Sequence, residues 1–242
     1  MPPIEVLLPL GAVAFYLFDS SLMLYGNELA LEWRAPRWRV SGGMNALLRG
    51  KRLYLPNPLR PHALLFQVRW DPASAGPEPD WYPQLEQLDR TLAPLKIVVV
   101  ALAFVLLAVL PPVSWFYGAG AMLLAVFIAA YLLIGAALVM VFRRRVALGL
   151  SPRRFTGLAL EALACAPFAV NLVRKISLLH SDRLHLESFA SRHFDEEIRQ
   201  ATAAIVVARI EERLALEDPE ATRGAELQAM RDRLRSPSRD TN

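Results

Sequence analysis

The sequence predicts an integral membrane protein, mainly α-helical, with three transmembrane helices: an N-terminal anchor followed by a helical hairpin. A small β-rich cytosolic insertion and a helical C-terminal tail complete this fold class. Three observations carry it. Ile97 to Phe142 runs 46 residues without a charged side chain, enough for two spans of about 20 residues each. Ile4 to Tyr25 is a second apolar stretch. Basic residues flank both, and nearly all are arginine, since lysine occurs only at Lys51, Lys96 and Lys175.

The anchor over 4–25 is long enough to cross, although Pro9, Gly11 and Asp19-Ser20-Ser21 weaken it. With no basic segment before it and no small-x-small site after it, it reads as a retained anchor rather than a cleavable signal. The hairpin over 96–142 comprises a span from Ile97 and another over Gly118–Phe142. Pro111-Pro112 suits a turn between them, and Trp115-Phe116-Tyr117 suits an aromatic belt. Arg34, Arg37 and Arg39 follow the anchor, Arg90 and Lys96 precede the hairpin, and Arg143, Arg144 and Arg145 follow it. By the positive-inside rule the N-terminus lies outside, and the 27–95 loop and the C-terminal part lie in the cytosol. The arginine bias fits a GC-rich bacterial genome, so the expected location is a bacterial inner membrane.

The cytosolic module over 27–71 alternates apolar and polar residues in Glu28–Trp33, Arg52–Leu55 and Leu65–Trp70, the period of half-buried strands. Ser41-Gly42-Gly43 and Pro56-Asn57-Pro58 punctuate them as turns. A linker and short helix occupy 72–95. Phe155–Val173 is apolar but holds Glu161, Pro167 and Asn171. Its eight Leu, Val and Phe residues gain roughly 4 kcal/mol on insertion, while one central acid costs about 2.5–3.5. An interfacial amphipathic helix over 151–175 is the expectation, with Ser151 as N-cap and Pro152 at the first helical position. A helical tail over 181–235 carries Phe189, Ile198, Ile205, Val206 and Ile210 on one apolar stripe, and 236–242 is a frayed end.

Composition bounds the chemistry. Of the 242 residues 54% are hydrophobic, the net charge is +4, and the one cysteine, Cys165, excludes an intrachain disulfide. The tail alternates charge signs instead of forming a basic stripe, so no nucleic-acid partner is expected. Asp19 and Glu161 are the candidate polar membrane residues, because acids in apolar segments are rare and often functional. Asp19 falls about 9 Å from the end of its span, near headgroup level, and Glu161 falls two turns after Arg154 on one helical face. Ala121, Ala125 and Ala129 form a small-residue face for a neighbouring helix. Cys165 reads as a packing residue.

His62, His180, His185 and His193 lack the i, i+4 spacing of paired metal ligands. Gly43–Arg52 departs from a phosphate loop, because the glycine five residues before Gly50 is replaced by Asn45 and Arg52 stands where Ser or Thr should be. No catalytic residue, cofactor or metal is therefore expected. The function expected is non-enzymatic: a scaffold or assembly factor whose cytosolic loop and tail bind a protein partner or self-associate, with the lipid bilayer as the other partner. A subunit of an oligomeric transporter or channel using Asp19 and Glu161 is the alternative. A membrane enzyme with an inner-interface site comes third.

Overall fold

Ten helices and six strands carry the described part of the chain, which in the computed structural model is residues 4–34, 37–44, 47–48, 50–70, 83–118, 120–181, 185–215 and 222–235. The protein is mainly helical, with two long apolar helices (85–117 and 121–144), a shorter apolar N-terminal helix and small antiparallel sheets. Its residues fall into two compact units. The first draws on Met1–Ser21, Leu55–Leu65 and Pro79–Leu179, the second on Leu22–Tyr54, Phe66–Glu78 and His180–Asn242.

In the first unit α1 (Ile4–Ser20) ends five residues before the expected limit of the anchor. Its 17 residues reach about 26 Å, somewhat short of a 30 Å hydrocarbon layer. The stop is local. The hydroxyls of Ser20 and Ser21 donate back to the carbonyls of Leu17 and Phe18, and the chain then enters a strand. This is the hydroxyl competition that makes serine a poor helix interior.

The first long helix also departs from expectation. α2 (Pro83–Phe104) continues through a π-helical turn (Val105–Val109) into α3 (Leu110–Tyr117), so Pro111-Pro112 lies inside a continuous rod and not at its end. Prolines at 111 and 112 would collide with the carbonyls of Leu107 and Ala108 in a regular α-helix. The π turn, in which the Leu110 amide reaches back to the Val105 carbonyl, widens the backbone at that point and admits both rings. The reversal falls after Tyr117, where Gly118 takes φ 58° and ψ −150°, a conformation close to glycine-only. α4 (Ala121–Arg144) then runs back against α2.

The expected 151–175 helix is three pieces: α5 (Pro152–Ala164), α6 (Ala166–Ala169) and α7 (Leu172–Leu178). Ser151 does cap α5, accepting from the Arg154 amide at 3.3 Å, and Pro152 is its first residue. Pro167 stands in the first turn of α6, where its missing amide proton is tolerated, and the break falls just before it at Cys165, whose backbone is extended at φ −142° and ψ 99°.

In the second unit β1 (Leu22–Leu24), β4 (Leu47–Leu48) and β5 (Lys51–Tyr54) form one sheet in the order β1-β5-β4. β2 (Glu28–Arg34), β3 (Arg37–Ser41) and β6 (Leu65–Arg69) form another in the order β3-β2-β6. β2 and β3 are antiparallel with Trp33 opposite Trp38, their rings 4.8 Å apart. The tail supplies α8 (Leu186–His193), α9 (Glu196–Leu214) and α10 (Thr222–Arg235). Strands and tail share a core: Phe189 stands edge-on to Trp38 at 4.9 Å and to Phe194 at 5.6 Å. Leu29, Leu31, Phe66, Val68 and Trp70 are buried in the same unit. A few short strands are marginal alone, and the helices provide the apolar cover they lack.

Residues 72–82 of the expected linker and short helix, and the frayed end at 236–242, lie outside the described residues.

Candidate functional site

The polar residues singled out in the sequence converge in the first unit. Asp19 sits in the last turn of α1 and Glu161 in the last turn of α5, both within reach of Lys175 on α7. Lys175 Nζ lies 2.7 Å from Asp19 Oδ1 and 2.7 Å from Glu161 Oε2, so one ammonium bridges both carboxylates. It also stands 5.0 Å from the centroid of Phe168, over the ring face, an arrangement that favours a cation.

One turn back along α7 the pattern deepens. Asn171 donates through Nδ2 to Asp19 Oδ2 at 3.0 Å and to the Tyr16 carbonyl at 3.2 Å. Its Oδ1 accepts from Arg174 Nη1 at 3.2 Å. Arg174 is 2% exposed and donates through Nη2 to the carbonyls of Asn57 and Arg60 at 2.6 and 2.9 Å. Tyr16 donates to the Pro58 carbonyl at 2.5 Å and stands 3.5 Å from Arg174 Nη1. Two acids, two bases, an amide and a phenol thus form one connected network that ties α1, α5, α7 and the Asn57–Arg60 turn together.

This set has a stabilising geometry. Each carboxylate faces a cation, and the buried guanidinium is hydrogen-bonded to turn carbonyls that also accept the Arg60 and Ala63 amides, as a buried charge must be. The neighbouring His62 imidazole is held below its ordinary value by burial, then by the Lys96, Arg60 and Arg174 charges around it. Cys165, at the α5–α6 junction, has its thiol pushed up chiefly by burial, so it lacks the lowered value of a reactive thiolate.

The two acids are unequal. The Asp19 side chain is 12% exposed and that of Glu161 54%. Glu161→Gln is expected to cost less than about 1 kcal/mol, as for an exposed pair. Asp19→Asn should cost about 1.5–3 kcal/mol, because a shielded charge-assisted pair is lost. Thermal unfolding of the two variants in detergent measures the difference, and equal shifts would refute the ranking.

Asn171, Arg174 and Lys175 were not singled out in the sequence, although a signal was present. They sit at i, i+3 and i+4, one face of a helix, in an otherwise apolar stretch. The small-residue face lies elsewhere than the packed one. α4 buries Val126, Ala130, Ile134, Ala137 and Val141, whereas Ala121 and Ala125 are exposed and Ala129 is half-buried. The stripe on the tail divides likewise: Phe189, Val206 and Ile210 are buried in the core of the second unit, and Ile198 and Ile205 are half-buried.

α9 is also tied down by charge. Arg209, itself buried, donates to the Gly42 carbonyl, and Arg52 on β5 pairs with Glu212. A Cβ on residue 42 would stand 2.7 Å from Arg209 Nη2, so a larger residue would have to displace the end of this side chain. A cleft of about 450 Å³ between α8, α9 and α10 is lined by Trp70, Leu186, Ala190, Val206 and Met230, with Arg199 and Glu187 also at its wall.

No protein-family model matches this chain, and neither does any curated protein or any solved structure.

Proposed function

We propose that the protein is a membrane-anchored scaffold or assembly factor. In this reading the first unit is the anchor and the second presents binding surfaces in the cytosol to a protein partner or a second copy. The observation that carries it is the exposure of apolar side chains around the long helices. Only 39% of the most apolar stretch of 85–117 and 33% of that of 121–144 are buried. The core helix of a soluble protein hides most of its apolar residues, whereas here Ile97, Phe116 and Leu132 are each at least 70% exposed. Large apolar side chains exposed in this number need lipid or protein to cover them.

α1 serves as a shorter third membrane helix, since a few ångströms of mismatch cost only fractions of a kcal/mol per ångström. The arginines at the end of α4 support a cytosolic position for that end by the positive-inside rule, with the N-terminus outside, in a bacterial inner membrane. The scaffold reading is preferred over a transporter subunit because Asp19 and Glu161 are both spent on Lys175, leaving neither carboxylate committed to a passing ion.

Purification in mild detergent followed by native mass spectrometry tests this reading. The chain should remain with membranes after alkaline carbonate extraction and emerge in a complex of defined stoichiometry. A lone monomer would sink the scaffold, and release by carbonate would sink the anchor.

A further inference from the structure

We infer that the arginines at the end of α4 and the start of α5 form a binding surface for the phosphate headgroups of anionic phospholipid, an inference that rests on the membrane reading above.

The sequence contains no acidic residue from Arg90 to Leu160, so Arg143, Arg144, Arg145, Arg153 and Arg154 have no local counter-charge. Three other cations of the first unit do. Arg90 pairs with Glu86, Lys96 with Asp89, and Lys175 with Asp19 and Glu161. Among the described residues none of the five arginines makes an ion pair. Arg144 donates to the Thr91 carbonyl at 2.6 Å, and Arg145 lies 4.7 Å from the centroid of the Phe142 ring. Four of the five are exposed and Arg145 is half-buried.

Two of them also stand at the unfavourable end of a helix. Arg153 and Arg154 occupy the first turn of α5, where the helix dipole favours anions. Cations that repel one another and oppose a dipole are compensated by a bound anion.

The neighbouring surface decides which anion. Val146 is 84% exposed and Leu160 64%, with Phe142 half exposed before them. A nucleic acid or an acidic protein would leave such apolar side chains uncovered. A bilayer interface takes the apolar groups into its acyl region and offers phosphates at the adjacent level. Guanidinium suits this role, because its fork donates two hydrogen bonds to one phosphate and is more weakly hydrated than an ammonium.

The test uses the full chain in nanodiscs of phosphatidylcholine with or without phosphatidylglycerol, counting the lipid retained on the re-extracted protein by native mass spectrometry. Phosphatidylglycerol should be retained in preference to phosphatidylcholine, by roughly fivefold for each arginine engaged. The preference should fall stepwise in Arg143→Gln, Arg153→Gln and the Arg143→Gln/Arg153→Gln/Arg154→Gln variant, and should vanish in the unaltered chain at high salt.

Absence of preference, or a preference that salt leaves unchanged, overturns the inference. Displacement of phosphatidylglycerol by millimolar inorganic phosphate would assign a soluble-anion site instead and overturn it equally. Carbonate extraction separates the two readings: a chain that stays in membranes without lipid preference refutes only the headgroup surface, whereas a chain released by carbonate refutes both.

Discussion

Arg174→Ala is expected to lower the stability of the first unit by about 3–5 kcal/mol, a large share of the 5–15 kcal/mol that holds a typical domain. The substitution removes one donor group shared by several acceptors. The carbonyls of Asn57 and Arg60 keep only the backbone amides of Arg60 and Ala63, Asn171 Oδ1 loses the guanidinium, and the guanidinium's buried volume is left empty. Each hydrogen bond to a charged group contributes about 1.5–3 kcal/mol. Arg174→Lys should recover little of this, because one ammonium at the end of a flexible stem cannot reproduce the fork that serves two carbonyls and an amide. Thermal unfolding in detergent, followed by circular dichroism, measures both. A lysine variant that melts with the unaltered chain would show that charge alone matters at this position.

Phe189→Ala should cost a similar ~3–5 kcal/mol, the usual range for emptying a buried aromatic site. Phe189 is fully buried and touches the Trp38, His193 and Phe194 rings. Its effect should appear far away in sequence. Trp38 belongs to β3, which pairs with β2, so hydrogen exchange should accelerate over Glu28–Ser41 as well as over α8. Acceleration confined to 186–193 would refute the shared core. The truncation leaves every charge in place, so a change in membrane extraction is not expected.

The long apolar helices were legible because a span is written in consecutive residues. Ile97–Phe142 needs no tertiary information to be read as two helices, and Ser151-Pro152 marks the start of α5 by local chemistry alone. The turn at Pro111-Pro112 misled for an equally physical reason. Proline excludes the regular α-helical hydrogen bond, but a π turn meets that exclusion without ending the helix, and nothing in the residue string distinguishes the two outcomes. The break of 151–175 into α5, α6 and α7 was foreshadowed by Pro167.

The candidate site was half legible. Asp19 and Glu161 stand out as acids among apolar residues, yet their common partner could not be inferred, because Lys175 lies 14 residues from one and far from the other in sequence. The stripe on α9 had the period of a buried face but not the identity of what buries it. Contacts such as Trp38 with Phe189 join segments separated by the whole of the first unit's helical run.

The network around Asn171 also fixes an order of events during synthesis. Asp19 and Asn171 are separated by 152 positions, and the Tyr16 carbonyl is 155 positions from its donor. At ribosomal speeds of about 5–20 residues per second, α1 emerges roughly 8–30 s before α7 exists. The polar lock on the earliest helix is therefore among the last contacts to form, and Asp19 must wait without its ammonium while both long apolar helices are made. A nascent chain halted before Asn171 could already pack α1 on α3, but with Asp19 and the Tyr16 carbonyl still without the partners that α7 brings.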